Sequence, residues 1–287
     1  MIDDRPAKTS PVDFLVIGAM KAGTTTLWNY LAEDEHIFMC QPKEPEFFTL
    51  NWDRGQEWYA GLFRNRTGSR LAGEASTSYT RVHRYPFAAS RAATLAPNLR
   101  LIYMLRDPFE RLVSTYRHVL LTGRDSGPLS AVLDRNWDLL VGQSLYAVQL
   151  APWLARFPRR QLLLLDFDEL VRSPQDVLNR VADHLGIPRR SISETHHDND
   201  SSTRPAMAGW ATKALDRFPA FRPVIQRGPA RLRRSIGRLA RRGGDVEATF
   251  DLSDAALLAL HREFAEDLAR IPELRTDRSE FSWHERY

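Results

Sequence analysis

The sequence has 287 residues, of which 43% are hydrophobic, 26% are charged and 10% are aromatic. This composition suits a globular protein with a sizeable core, and it excludes a wholly disordered chain, a collagen-like chain and a disulfide scaffold. The net charge of +4 is a mild basic excess. Because nucleic-acid-binding proteins usually carry a denser basic stripe, we expect no nucleic-acid partner.

Cysteine content and hydropathy bear on the compartment. The single Cys40 cannot form an intrachain disulfide, which favours a reducing interior. No apolar run approaches the roughly 20 residues that a membrane-spanning helix needs. Residues 1–10 also lack the apolar core of a signal peptide. Together these features predict a cytoplasmic protein without a transmembrane segment.

Short apolar runs alternate with helical stretches along the chain. Buried strands are predicted at 12–18, 101–105 and 161–167. Helices are predicted at 108–121, 144–157, 173–186 and 253–270, with a further helix after the loop that follows the first strand. This alternation predicts an α/β fold with a central, mainly parallel sheet flanked by helices.

The domain organisation is predicted to be simple. We expect a tail at 1–11 and one domain over 12–287, interrupted by an irregular basic insertion at about 191–250. Within the insertion, the segment 221–244 is rich in arginine and contains no acidic residue. Two interpretations of this segment stay open. It is either a surface for an anionic acceptor, an acidic carrier protein or a peripheral membrane contact, or a solvated basic helix resting on the core.

The loop after the first predicted strand has the features of a phosphate site. Backbone N–H groups at a helix N-terminus, together with the helix dipole, bind anions. Lys21 adds an ammonium group, and threonine hydroxyls follow it. The predicted binding residues are Lys21, Ala22, Gly23, Thr24, Thr25 and Thr26. In nucleoside triphosphatases the lysine follows the second glycine, whereas Lys21 precedes Gly23 by two residues, so we expect no metal. The alternative is an ordinary strand–loop–helix with a solvated lysine.

The residues from Phe14 to Leu27, FLVIGAMKAGTTTL, closely resemble the 5′-phosphosulfate loop of sulfotransferases that use 3′-phosphoadenosine 5′-phosphosulfate. In that family an arginine, followed eight residues later by a serine, holds the 3′-phosphate of the nucleotide. Arg106 and Ser114 match that spacing. In isolation, Arg106 would instead be assigned to an ion pair with a nearby acid.

A third segment narrows the resemblance. QPKEPEFF at 41–48 is similar to a segment of the heparan sulfate N- and 3-O-sulfotransferases, in which the residue matching Glu44 is the catalytic base. The chain is therefore identified as resembling a bacterial-type member of that branch. The resemblance implies a P-loop-like three-layer fold and sulfuryl transfer to a hydroxyl, or secondarily an amine, of a glycan, lipid, secondary metabolite or carrier-tethered acceptor.

The resemblance also implies roles for individual residues. Lys21 would stabilise the bridging oxygen of the donor. Lys43 would reach the transferred sulfate or the acceptor, the alternative being a solvated lysine. Glu74 would bind on the acceptor side, where it orients the acceptor or a neighbouring base. Arg204 would close over the 3′-phosphate. We further expect Phe47 and Phe48 to form an apolar wall around Glu44. The family has a lysine where this chain has Ala75, which weakens the case for heparan sulfate as the acceptor. The alternative for Glu44 is a surface carboxylate paired with Lys43.

Two other classes of function remain open. A small-molecule kinase would require magnesium, and Asp166 is then the candidate metal ligand at a strand end. A non-catalytic basic binding module would tolerate replacement of both Lys21 and Glu44. The run from His196 to Asp198 is a weak set of metal ligands, because adjacent loop residues seldom converge on one ion. The oligomeric state is left open.

Overall fold

The computed structural model describes residues 10–68, 70–192, 248–271 and 283. The tail at 1–9, most of the predicted insertion, Arg204 and the run from His196 to Asp198 lie outside the described residues. Among the helices that are described, none has both the length and the apolar character needed to span a bilayer.

A five-stranded parallel sheet forms the centre of the fold. Its strands are Phe14–Gly18 (β1), Ile37–Met39 (β2), Leu71–Ala75 (β3), Arg100–Leu105 (β4) and Leu162–Asp166 (β5). Their order across the sheet is β2-β3-β1-β4-β5, and every neighbouring pair is parallel. All residues of β1 and β5 are buried, as is typical of a parallel sheet covered on both faces.

Helices flank this sheet, which confirms the predicted α/β fold. The described helices of both units are Thr24–Ala32 (α1), Gly55–Gly61 (α2), Ala88–Leu95 (α3), Pro108–Leu121 (α4), Leu129–Arg135 (α5), Trp137–Leu140 (α6), Tyr146–Leu154 (α7), Phe167–Arg172 (α8), Pro174–Leu185 (α9) and Asp254–Leu268 (α10). Short 3₁₀ turns lie at Trp52–Arg54, Thr77–Thr80, Gly142–Ser144 and Arg159–Gln161. The four helices that the sequence bounds by number appear within a few residues of their predicted limits.

The chain forms two compact units. The first comprises Met1–Pro108, Gln143–Asn199 and His261–Tyr287 and contains the sheet. The second comprises Phe109–Gly142 and Asp200–Leu260. Within the described part of the second unit, the Tyr116 hydroxyl donates to the carbonyls of Gly127 and Thr249, at 2.8 and 3.2 Å. The single domain over 12–287 stays a prediction.

Within the first unit, polar contacts join α10 to α7. The carboxylate of Asp267, in the last helical turn of α10, accepts hydrogen bonds from the backbone N–H groups of Ala147 and Val148, at 2.9 and 3.1 Å. These N–H groups lie at the start of α7, where a helix has no internal acceptor for them. Phe264 and Leu268 of α10 are also buried, so this end of the helix packs in the interior of the unit.

Candidate functional site

The turn between β1 and α1 has the tight backbone that its glycines predict. Gly18 and Gly23 both have positive φ, at 152° and 82°. A Cβ at Gly18 would lie 2.3 Å from the Thr80 hydroxyl, and one at Gly23 would lie 2.5 Å from the ring of Phe167. Both positions therefore require glycine because neighbouring side chains, rather than a ligand, fill the space.

The N-terminus of α1 presents backbone donors. The cap residue Gly23 supplies no side-chain acceptor, and the first N–H groups of a helix have no internal partner, so this end attracts anions. Lys21 lies in the turn with φ of 69° and is half-buried. Thr24 and Thr26 are buried, whereas Thr25 is partly exposed. Of the three hydroxyls, that of Thr25 is therefore the most accessible.

Arg106 lies beside this turn at the carboxyl end of β4. Its guanidinium donates to the backbone carbonyl of Lys21 at 3.4 Å and lies 4.6 Å from the centre of the Phe167 ring. The Tyr146 hydroxyl donates to the Arg106 carbonyl at 2.6 Å. The structure thus brings together Lys21 and Arg106, which come from two separate sequence segments. Ser114 is buried in α4, and its role stays a prediction.

The segment 41–48 forms a turn that reaches the same edge of the sheet. The backbone N–H of Glu44 donates to the carbonyl of Ala75 at 3.1 Å, which fixes the turn at the end of β3. The Lys43 ammonium donates to the Thr25 hydroxyl at 2.9 Å and lies 3.4 Å from the Glu44 carboxylate. The Thr77 hydroxyl donates to the same carboxylate at 3.3 Å. Lys43 therefore connects Glu44 to the first turn of α1.

The predicted apolar wall around Glu44 is wrong. The side chain of Glu44 is 37% exposed, whereas Phe47 and Phe48 are completely buried in the core. The ring of Phe47 stacks on that of Tyr59 at 4.2 Å, and Phe48 packs against Tyr79 at 5.3 Å. The aromatic residues of this segment thus anchor the turn from below and leave the carboxylate facing solvent.

Glu74 is the carboxylate that these aromatic residues enclose. It is completely buried on β3, and its Oε1 accepts hydrogen bonds from the hydroxyls of Tyr59 and Tyr79, at 2.8 and 2.5 Å. Its Oε2 accepts one from the Ser76 hydroxyl at 2.9 Å. Burial raises the pKa of Glu74 to about 7, although the three hydrogen bonds act in the opposite direction. This burial does not fit a direct contact with an acceptor, because protein donors occupy both oxygens; orientation of a neighbouring base by Glu74 stays a prediction.

We expect replacement of Glu74 to change stability in a pH-dependent way. The folded chain keeps the Glu74 proton up to about pH 7, while the unfolded chain releases it near the ordinary value of 4.5. The folded state therefore binds more protons in this window, and stability falls as pH rises through it. Glu74→Gln removes the ionisation. The free energy of unfolding of the variant, relative to that of the native chain, should therefore rise by about 2–3 kcal/mol from pH 5 to pH 8.

The measurement is the free energy of unfolding in urea at both pH values. Glu57→Gln, a substitution at an exposed position of α2, is the matched control. Its free energy of unfolding should differ from that of the native chain by the same amount at pH 5 and at pH 8. An effect of Glu74→Gln that is the same at pH 5 and pH 8 would contradict the assigned titration.

Asp166, the metal ligand that a kinase would require, has a structural role. It is 3% exposed at the end of β5. Its Oδ1 accepts from the backbone N–H of Asp168 at 2.9 Å, which caps α8, and from the indole of Trp283 at 3.3 Å. In the part of the chain that the structure describes, no three His, Cys, Asp or Glu side chains are grouped as a metal site requires.

Sequence reasoning missed some residues of this site. Thr77, which donates to Glu44, and Tyr59, which donates to Glu74, carry no motif of their own. The sequence signal for Thr77 is its place in GEASTSY at 73–79, which begins inside β3, a short strand that the hydropathy pattern did not reveal. Tyr59 comes from α2, and nothing in its surrounding sequence indicates a buried carboxylate nearby.

Comparison with known proteins gives consistent results. Residues 11–214 match the sequence profile of the family described as "Sulfotransferase domain". Human heparan sulfate glucosamine 3-O-sulfotransferase 3B1 is 29% identical over 192 residues, which are 63% of this chain and 47% of that protein. Mouse bifunctional heparan sulfate N-deacetylase/N-sulfotransferase 4 is 33% identical over 206 residues, covering 63% of this chain and 23% of that protein. The chain thus matches less than half of the length of either relative.

A solved structure agrees with the fold. The crystal structure of a sulfotransferase from Alicyclobacillus acidocaldarius superimposes with a TM-score of 0.59 at 25% identity. The alignment covers 79% of this chain and 96% of that one.

Proposed function

Because the chain belongs to the sulfotransferase domain family, we propose that it transfers the sulfuryl group of 3′-phosphoadenosine 5′-phosphosulfate to a hydroxyl group of an acceptor, with Glu44 as the general base. The observation that carries this proposal is the contact of Lys43 with both Thr25 and Glu44. It places a carboxylate next to the N-terminus of α1, where the phosphosulfate would bind. A base and an anion site are the two parts that such a reaction needs.

The donor would be held at both of its charged ends. The backbone N–H groups of residues 22–26 and the Lys21 ammonium would bind the 5′-phosphosulfate. Arg106, whose guanidinium is oriented by the Lys21 carbonyl and the Phe167 ring, would bind the 3′-phosphate as a fork of parallel donors. Additional roles for Ser114 and Arg204 at the 3′-phosphate stay predictions from the resemblance.

The reaction would proceed by in-line displacement at sulfur. Glu44 accepts the proton of the acceptor hydroxyl as its oxygen forms a bond to sulfur. The bond between sulfur and the bridging phosphate oxygen breaks, and Lys21 stabilises the negative charge that collects on that oxygen. Lys43 would neutralise the negative charge on the sulfuryl oxygens as the group passes from the donor to the acceptor. The products are a sulfate ester, adenosine 3′,5′-bisphosphate and a proton on Glu44.

A glycan hydroxyl is the first acceptor to test, since the two relatives are named for heparan sulfate. The absence of a lysine at Ala75 argues against assigning heparan sulfate itself. Lipid, secondary-metabolite and amine acceptors are therefore kept as further candidates. The cytoplasmic location and the independence from metal stay predictions from the sequence.

Calorimetry separates this proposal from the kinase alternative. Adenosine 3′,5′-bisphosphate should bind more tightly than ATP with magnesium by at least about tenfold, because only the former places a phosphate at Arg106. Arg106→Ala should reduce that preference by about 10- to 100-fold. Equal or tighter binding of ATP with magnesium would overturn the donor assignment. Failure of Arg106→Ala to reduce the preference would overturn the role of Arg106.

A further inference from the structure

The turn that carries Lys43 and Glu44 has a backbone conformation that needs contacts with other segments of the chain to hold it. Glu44 and Glu46 have φ values of 57° and 50°, in the left-handed region that residues with a side chain rarely occupy. Such a backbone persists only where surrounding contacts hold it. Two alternating residues of this kind within one short turn imply that contacts with neighbouring segments hold it.

Two hydroxyl groups accept hydrogen bonds from backbone N–H groups of this turn. The N–H of Glu46 donates to the Ser76 hydroxyl at 3.0 Å, and the N–H of Phe48 donates to the Tyr79 hydroxyl at 3.5 Å. Both hydroxyls follow β3 in the chain, on the segment that also supplies the Ala75 carbonyl to Glu44. The turn therefore rests on the residues directly after β3.

Glu74 orients both of these hydroxyls. Ser76 donates its proton to one carboxylate oxygen of Glu74, and Tyr79 donates its proton to the other. A hydroxyl has one proton to give, so while Glu74 is ionised each presents only lone pairs to the turn, which is the state that an N–H donor requires. Burial raises the pKa of Tyr59 and of Tyr79 well above 10, so both phenols keep their protons. Cys40 is a further ionisable group that interacts with Glu74. Its thiol also stays protonated, because burial raises its pKa.

We propose that Glu74 is a positioning residue for sulfuryl transfer, which acts through Ser76 and Tyr79 to hold the 43–48 turn in the conformation that places Glu44 and Lys43 at Thr25. This inference rests on the proposed role of Glu44 and deepens it, since it names the group that sets the position of the base. Glu74 itself touches neither donor nor acceptor, because it is completely buried and its oxygens are held by protein hydroxyls.

Tyr59 supplies a matched control for Tyr79. Both are completely buried tyrosines that donate to the same oxygen of Glu74. Tyr79 also accepts from the turn, at Phe48, whereas Tyr59 lies on α2 and stacks on the ring of Phe47. Tyr59→Phe and Tyr79→Phe each remove one hydroxyl that donates to the same oxygen of Glu74. Only Tyr79→Phe also removes an acceptor for a backbone N–H of the turn.

The experiment compares Ser76→Ala, Tyr79→Phe and Tyr59→Phe in the full chain. Turnover is measured as the adenosine 3′,5′-bisphosphate that is released from 3′-phosphoadenosine 5′-phosphosulfate. Heparan sulfate is the probe acceptor, and in reactions without the polysaccharide water is the acceptor. Ser76→Ala and Tyr79→Phe should lower kcat by about 10- to 100-fold, because small displacements of a catalytic group carry large rate penalties. Calorimetric affinity for adenosine 3′,5′-bisphosphate should stay within about twofold in all three, since none removes a donor contact.

Tyr59→Phe should lower kcat by less than about threefold while it lowers stability as much as Tyr79→Phe does. If the two phenylalanine variants lower kcat equally, or if kcat and nucleotide affinity fall together, the network only stabilises the fold and the inference is wrong. Glu74→Ala should reproduce the kcat loss of Ser76→Ala. If that variant does not fold, the three single changes above still decide the matter.

Hydrogen exchange separates this inference from the role of Glu44. The amides of Glu46 and Phe48 should exchange faster in Ser76→Ala and Tyr79→Phe, respectively, than in Tyr59→Phe. Unchanged exchange would overturn the positioning role. Faster exchange together with full turnover in Glu44→Gln would show that Glu74 positions the turn but that Glu44 is not the base, so the two failures are distinguishable.

Discussion

Glu44→Gln is expected to lower kcat for sulfuryl transfer by about 10²- to 10⁴-fold, the usual effect of removing a general base. Glutamine keeps the shape of the side chain and its hydrogen bonds to Thr77 and Lys43, but it cannot accept a proton from the acceptor. The backbone bond from residue 44 to the Ala75 carbonyl is unaffected. Steady-state rates of labelled sulfate transfer from 3′-phosphoadenosine 5′-phosphosulfate measure the effect.

Nucleotide affinity is the internal check for this variant. Among the described residues, Lys43 is the link between Glu44 and the donor site, so calorimetry should show binding of adenosine 3′,5′-bisphosphate within about twofold of the native chain. Glu57→Gln on the exposed surface of α2 should have native rates and native affinity. A Glu44→Gln variant with native turnover and native nucleotide binding would remove Glu44 from the mechanism.

Lys21→Met should lower kcat by about 10²- to 10³-fold, comparable to the loss of one donor that stabilises charge in a transition state. Methionine preserves most of the apolar stem of the side chain. The contact between Arg106 and the turn uses the Lys21 carbonyl, so the substitution leaves it in place. The loss should be largest in kcat, since the negative charge on the bridging oxygen develops as the bond to sulfur breaks.

The control for Lys21→Met is Arg172→Met, which removes an exposed positive charge from α8. Its kinetics should match those of the native chain at moderate salt, because exposed charges are screened by ions. If Lys21→Met raised KM for the donor and left kcat unchanged, Lys21 would contribute only to ground-state binding. The assigned stabilisation of the leaving oxygen would then be wrong.

Local sequence was sufficient to predict the strand, turn and helix that are proposed to hold the donor. They are consecutive at 14–32, so their spacing reports their geometry directly. Arg106 needed the family resemblance, which rests on its spacing of eight residues from Ser114, because in isolation it would be assigned to an ion pair with a nearby acid.

The carboxylate side of the site was harder to predict, because it depends on contacts between distant segments. β2 has three residues, and β3 contains Gly73 and Glu74, so neither shows a hydrophobic run. Gly73 is needed because a Cβ there would lie 2.1 Å from the ring of Phe14. The burial of Glu74 follows from tyrosines at 59 and 79, which no local pattern connects to it. The burial of this carboxylate was therefore not predicted.

The order of the strands has a consequence for changing the two sides of the site separately. β1 lies between β3 and β4, so Arg106, which follows β4, and the residues around β3 are on opposite sides of one central strand. Substitutions after β4 and substitutions around β3 therefore alter different flanks of the sheet. The contact of Lys43 with Thr25 is a point at which an effect on one flank reaches the other.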